Sequence, residues 1–227
     1  MLSMLVIGFV LSAGVSLTAR RLRALTADGA AAAIVVGTLI YGFGGWRPAA
    51  LLVLFFATSS TLTRLRAQYK PHPEHRRGRS ADQVLANGAV ATVMAIWYGL
   101  TLSPVAAAAV AGAIAASTAD TWATELGLLS PSPPRLITTW QTVPPGQSGA
   151  ISLLGTAGGI AGALLIGAVG SWWVHTSFGV VWIAGVAAML IDSLMGATVE
   201  GRVEGVNNNT INLIATATGT LIAVLRS

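Results

Sequence analysis

Cysteine is absent from the 227 residues, which excludes disulfides, thiolate nucleophiles and zinc-thiolate sites together. Charge is scarce: only 9% of residues are Asp, Glu, Lys or Arg, against about 25% in soluble domains. Apolar residues make up 54% of the chain, and the mean hydropathy is +0.71. Those values exclude an ordinary soluble domain and leave no segment of useful size for one. The formal charge of +5 invites a nucleic-acid reading, but the basic residues fall between apolar runs and follow membrane topology instead. The chain reads as one integral-membrane domain over residues 1–227, all-α, with no nucleic-acid partner.

The apolar runs predict eight transmembrane helices at about 2–18, 30–46, 48–63, 83–101, 104–127, 150–170, 177–199 and 207–225. Seven helices is the alternative, because the second and third runs abut at Arg47-Pro48 and the eighth begins with polar residues. The first run has neither a basic leader nor a convincing cleavage site, so a retained helix is expected rather than a signal peptide. Arg20, Arg21 and Arg23 follow helix one, and Arg64, Arg66, Lys70, Arg76, Arg77 and Arg79 lie between helices three and four. Arg135 and Arg202 sit in the two later loops on the same side. The positive-inside rule assigns that side to the cytoplasm, as in a bacterial or organellar inner membrane. All eight carboxylates then fall at or near the cytoplasmic side. His72 and His75 belong to a basic loop that reads as solvated lipid-headgroup contact.

Two acids lie deep in apolar runs. Asp120 and Asp192 each sit about eight residues from the expected cytoplasmic end of a helix, or about 12 Å at 1.5 Å per residue. A carboxylate near a helix centre costs about 2.5–3.5 kcal/mol on insertion scales, so each calls for a partner, a cavity or a substrate. Two oxygen ligands at one depth suit Mg²⁺ with substrate phosphates; a proton or sodium path uses the same residues. Glu125 follows on helix five, about 140° around from Asp120, with Thr121 and Thr124 between them. Arg79, Gln83 and Asn87 form an i, i+4, i+8 stripe beside Asp82. On helix seven, Asp192, Gly196 and Glu200 repeat that spacing, with Ser193 adjacent. The Pro-rich segment before helix six ends in Ser148-Gly149, where backbone N–H groups can receive phosphate oxygens or a serine can simply cap the helix. Asn207, Asn208, Asn209 and Asn212 open helix eight. Glycines at four-residue spacing, Gly155/Gly159 and Gly158/Gly162, predict close helix packing. Trp172 and Trp173, with Trp46 and Trp97, are expected at the outer interface.

Several of these pieces recur in a fixed order: Arg79-x-x-Asp82-Gln83-Val84-x-x-Asn87-Gly88, Ala119-Asp120-Thr121-Trp122-Ala123-x-Glu125-Leu126-Gly127 and Pro134-Arg135-Leu136-Ile137-Thr138. Val143-Pro144-x-Gly146-x-x-Gly149, Asp192-Ser193-x-x-Gly196-Ala197-Thr198 and the Asn207–Asn212 cluster follow. The ordered set resembles the integral-membrane family of animal transmembrane protein 19 and plant phytyl-phosphate kinase.

The resemblance implies a membrane kinase that converts an isoprenyl monophosphate into a diphosphate with a nucleoside triphosphate, CTP or ATP, and Mg²⁺. Transferred to this chain, it implies Asp120 and Asp192 on the metal, with Glu125 as a further catalytic candidate. Arg79, Arg135 and Arg202 would clamp phosphates; Asp82, Gln83, Asn87, Thr121, Gly149, Ser193, Asn209 and Asn212 would hold nucleotide or phosphate. There is no GxxxxGK[ST] P-loop and no HRD or DFG motif, so the phosphate site must be of another kind. Competing readings are a polyprenol kinase, a CTP-dependent lipid-phosphate cytidylyltransferase and a small carboxylate-dependent transporter. Membrane lipids and the isoprenyl phosphate are the expected partners, and both a monomer and a homodimer stay open.

Overall fold

A computed structural model describes residues 1–67, 78–173 and 175–227. The readings on Lys70, His72, Glu74, His75, Arg76 and Arg77 lie outside the described residues, as does the side chain of Trp173. Eight helices follow in order: α1 (Leu2–Arg21), α2 (Ala27–Gly44), α3 (Trp46–Ala67), α4 (Ala81–Thr101), α5 (Pro104–Gly127), α6 (Leu153–Trp173), α7 (Phe178–Thr198) and α8 (Asn208–Leu225). Seven of them are long and apolar enough to cross a membrane; α8 is the exception by composition. Between α5 and α6 two short strands, β1 (Arg135–Leu136) and β2 (Ala150–Ile151), pair antiparallel with Arg135 opposite Ile151.

Local chemistry explains where helices start. Thr26 caps α2 by accepting the Gly29 N–H, and Pro104 opens α5, where a missing N–H costs nothing. A capping box starts α4: Ser80 accepts the Gln83 N–H while Gln83 Oε1 accepts the Ser80 N–H at 3.1 Å. Most boundaries shift by one to four residues from the sequence reading, and three of the shifts have a local cause or consequence. Helix α2 begins three residues early at its Thr26 cap, and α3 continues beyond 63 to Ala67. The sixth helix starts at Leu153 rather than 150, because Ala150 and Ile151 are used in β2.

Helix α5 is the axis of the bundle and packs against α3, α4, α6, α7 and α8. Its run from Ala106 to Ala119 is buried throughout, and small side chains let five neighbours approach one helix. The expected glycine seam lies on α6. A Cβ on Gly155 would come 2.7 Å from the Ala123 carbonyl oxygen, and one on Gly159 would come 2.8 Å from that of Ala119. Substituting Gly159 by Val should therefore force α6 away from α5 and cost about 1–3 kcal/mol, read as a lower unfolding midpoint in detergent.

The C-termini of α1, α3, α5 and α7 share one end of the bundle with the N-termini of α2, α4, α6 and α8, since α1–α2 and α5–α6 pair head to tail. Ser12 of α1 packs on Gly37 and Leu5 on Gly42, for example. Arg20, Arg21, Arg64, Arg66, Arg79, Arg135 and Arg202 all belong to that basic end.

Candidate functional site

Helices α5 and α7 run in the same direction and meet at Gly185, whose Cβ position lies 3.1 Å from Ala115. Further along, this pairing sets Asp120 and Asp192 on the wall of one cavity, close enough to influence each other. Asp120 is seven residues from the end of α5 and Asp192 six from the end of α7, so both lie about 10 Å inside the basic end. Helix α8 supplies a third group. The Asn212 amide nitrogen donates to Asp192 Oδ2 at 3.0 Å and to the Asn208 carbonyl at 3.2 Å. Asn212 itself is buried, so this bond fixes the orientation of the carboxylate.

The two carboxylates open into a cavity of about 150 Å³ roofed by the α5–α6 segment. Its polar lining includes Thr124, Gln147, Ser148, Thr156, Ser193 and Glu200. The roof is a built structure. Ile137 donates to the Gly149 carbonyl at 3.0 Å, Leu136 to that of Gln141 at 2.9 Å, and Val143 to that of Pro134 at 3.0 Å. Gly149 has φ +73°, and a Cβ there would run into Ala197 of α7. On the other side, a Cβ on Gly196 would lie 2.8 Å from the Gly149 nitrogen. The space that Gly196 leaves is thus occupied by the roof backbone.

Other residues picked out in the sequence lie elsewhere. Gln83 serves the α4 capping box, and Asp82 is exposed on that first turn. Arg135 is exposed and its Nη1 donates to the Trp140 carbonyl at 2.9 Å; Arg202 is exposed in the α7–α8 turn. Thr121 and Asn209 do not line the carboxylate cavity. Asn207 is the N-cap of α8, accepting the Thr210 N–H at 3.1 Å. Glu125 faces α3: it forms a buried ion pair with Arg66 and accepts from Thr63 Oγ1 at 2.8 Å.

Arg79, Gln83 and Asn87 line a second and larger space, an apolar groove among α1–α4. The two spaces share no lining residue, yet they are close neighbours. Ser117, three residues before Asp120, donates to the Asn87 carbonyl at 2.8 Å. Thr216, one turn beyond Asn212, reaches the Ala86 carbonyl at 3.5 Å.

The sequence reading does not single out Gln147 or Thr156 for the cavity, nor Arg66 and Thr63 as partners of Glu125. The i, i+4 pair Ser152/Thr156 was a visible signal for the α6 wall; nothing local announces the contact from α3.

Comparison with known proteins places this geometry in context. The sequence profile described as Integral membrane protein DUF92 matches residues 10–220. An uncharacterised membrane protein of Methanocaldococcus jannaschii is 36% identical over 219 residues, covering 92% of this chain and 89% of that protein. Protein PGR of Arabidopsis thaliana is 30% identical over 228 residues, covering 86% and 79% respectively. Protein VTE6, chloroplastic, from the same plant is 27% identical over 216 residues, covering 88% of this chain and 65% of that protein. No solved structure matches the chain.

Proposed function

The chain belongs to the DUF92 family of integral membrane proteins, and from that premise we propose that it is a nucleoside-triphosphate-dependent isoprenyl-monophosphate kinase. The observation that carries the reading is the pair of carboxylates from α5 and α7, side by side in a polar cavity beneath a glycine-bearing roof. The resemblance of the motifs to the phytyl-phosphate kinase family supplies the reaction class.

The donor set fits magnesium. Asp120 and Asp192 offer carboxylate oxygens only, and no group of three or more His, Cys, Asp or Glu side chains forms a protein cage among the described residues. Mg²⁺ is commonly held by one or two carboxylates together with substrate phosphates. Two adjacent carboxylates in a low-dielectric cavity repel each other, and a divalent cation removes that cost. When bound, the ion would neutralise phosphate charge during transfer.

The protein's own residues do the positioning. Asn212 holds Asp192 in one rotamer, while Ser148, Ser193 and Thr124 offer hydroxyl donors for phosphate oxygens around the cavity. A volume of about 150 Å³ suits phosphate groups and excludes a whole nucleoside, so the base would lie outside the roof. In the reaction, an oxygen of the prenyl phosphate attacks the γ-phosphorus and the bond to the bridging oxygen breaks, releasing the nucleoside diphosphate. The acceptor oxygen is already anionic and needs little help from a general base. The positive-inside bias assigns the basic end, and with it the cavity, to the cytoplasm.

The test is product identity. Purified protein in detergent is given Mg²⁺, γ-labelled CTP or ATP and geranylgeranyl monophosphate. Labelled prenyl diphosphate, abolished by EDTA, is the expected result. A nucleotide-linked lipid with released pyrophosphate would replace the kinase by a cytidylyltransferase, and nucleotide-independent solute flux in proteoliposomes would replace it by a transporter.

A further inference from the structure

A second cavity, about 660 Å³ and larger than the one that holds the carboxylates, lies apart from it among the described residues. It is a groove among α1–α4, running along α3 from Trp46 to Ala57, or about 16 Å at 1.5 Å per residue. Its walls are aliphatic and aromatic for nearly the whole length. Val15 of α1 and Val53 of α3 stand on its rim and are 43% and 44% exposed, so the groove opens sideways, where lipid would lie. At the basic end the lining changes to Arg79, Gln83 and Asn87.

Arg79 is held there firmly. Its N–H donates to the Ala24 carbonyl at 2.9 Å, and its own carbonyl accepts from the Thr26 N–H at 3.1 Å and from Thr26 Oγ1 at 3.1 Å. The guanidinium carbon stands 5.4 Å from the Phe55 ring centre and 5.7 Å from that of Phe56. Burial pulls its pKa down to about 10, opposed by the nearby charge of Glu125, so it stays cationic at neutral pH. Among the described residues the guanidinium makes no hydrogen bond, and its neighbours along the groove are apolar and aromatic side chains with Gln83 and Asn87. A guanidinium fork set against two aromatic faces, with Glu125 acting on it only through its charge, has donors to offer an anion, and a phosphate monoester fits that fork.

We infer that this groove is the seat of a single-chain lipid monophosphate, its hydrocarbon tail between α1 and α3 and its phosphate at Arg79. The inference rests on the lipid-phosphate reading above and says where that substrate docks. A long apolar groove suits one chain, and one cation at its basic end suits one phosphate. Docked there, the phosphate lies one helix contact from the carboxylate cavity, across the Asn87–Ser117 bond.

Equilibrium binding of tritiated geranylgeranyl monophosphate to the full-length protein in detergent tests this without turnover, with geranylgeraniol as the uncharged probe. Arg79→Gln should weaken the monophosphate at least tenfold and the alcohol less than twofold. Val53→Trp, which fills the groove from its rim, should weaken both, and more for a twenty-carbon than for a ten-carbon chain. Equal binding of the monophosphate to all three proteins overturns the inference, as does equal displacement of it by a two-chain phosphatidate. Tight binding with no diphosphate formed would keep the groove and reject the kinase. Prenyl diphosphate formed equally well by both variants would keep the kinase and reject the groove.

Discussion

If the chain is the proposed kinase, replacing Asp192 by Asn should lower prenyl-diphosphate formation by at least about 10²–10³-fold and leave the protein folded. The magnitude is that of removing one preorganised electrostatic group aimed at the reacting phosphates. Asn keeps the shape of Asp, so the α7 packing and the hydrogen bond from Asn212 need not change. What is lost is one of two carboxyl groups that line the same cavity from α5 and α7. Because burying two ionisable carboxyls side by side is costly when no cation lies between them, the variant should unfold at a midpoint equal to or above that of the parent. The same holds for Asp120→Asn, and the double variant should be no worse than either single one, since both act on one ion. Activity at saturating Mg²⁺, measured beside the unfolding midpoint, checks all three. Variants that keep full turnover would remove the carboxylate pair from the chemistry, and variants that fail to fold would make it structural.

Much of the architecture was legible because membrane helices are written in apolar length. Eight runs gave eight helices, and the bounds of α5, 104 and 127, are those of its apolar run. The depth match of Asp120 and Asp192 also followed from counting, since residues at equal distance from the ends of parallel helices lie at equal height. Lateral position did not follow. Counting along a helix cannot tell which neighbour a side chain meets, and α5 has five neighbours. Arg79, Gln83 and Asn87 therefore read as part of one phosphate site with Asp120, whereas they line a separate groove beyond the α4–α5 contact. The roof was opaque for a related reason. Its packing on Gly196 depends on a positive φ at Gly149 and on strand pairing between residues 135–136 and 150–151. Proline-rich sequence shows only that such a segment is not helical.

Glu125 carries the largest expected effect on stability. Helix α3 extends one turn further than its apolar run, and this carries Arg66 into the bundle to pair with Glu125; each is 7% exposed. Removing one member of a buried pair strands the other charge, at a cost of about 3–5 kcal/mol. For a chain of this size each kcal/mol moves the unfolding midpoint by about 2–4 °C, so Glu125→Gln and Arg66→Met should each lower it by roughly 6–20 °C. Replacing both, Arg66→Met with Glu125→Leu, exchanges two ions for packed apolar groups and should return most of the loss. Three midpoints from thermal denaturation in one detergent check the cycle. Single variants as stable as the parent would show that the pair contributes nothing. The double variant also separates two roles for Glu125, whose charge acts on Arg79 as well as on Arg66. Restored stability with full turnover assigns the carboxylate to holding α3 against α5. Restored stability with lost turnover means that its charge is needed where Arg79 meets the substrate.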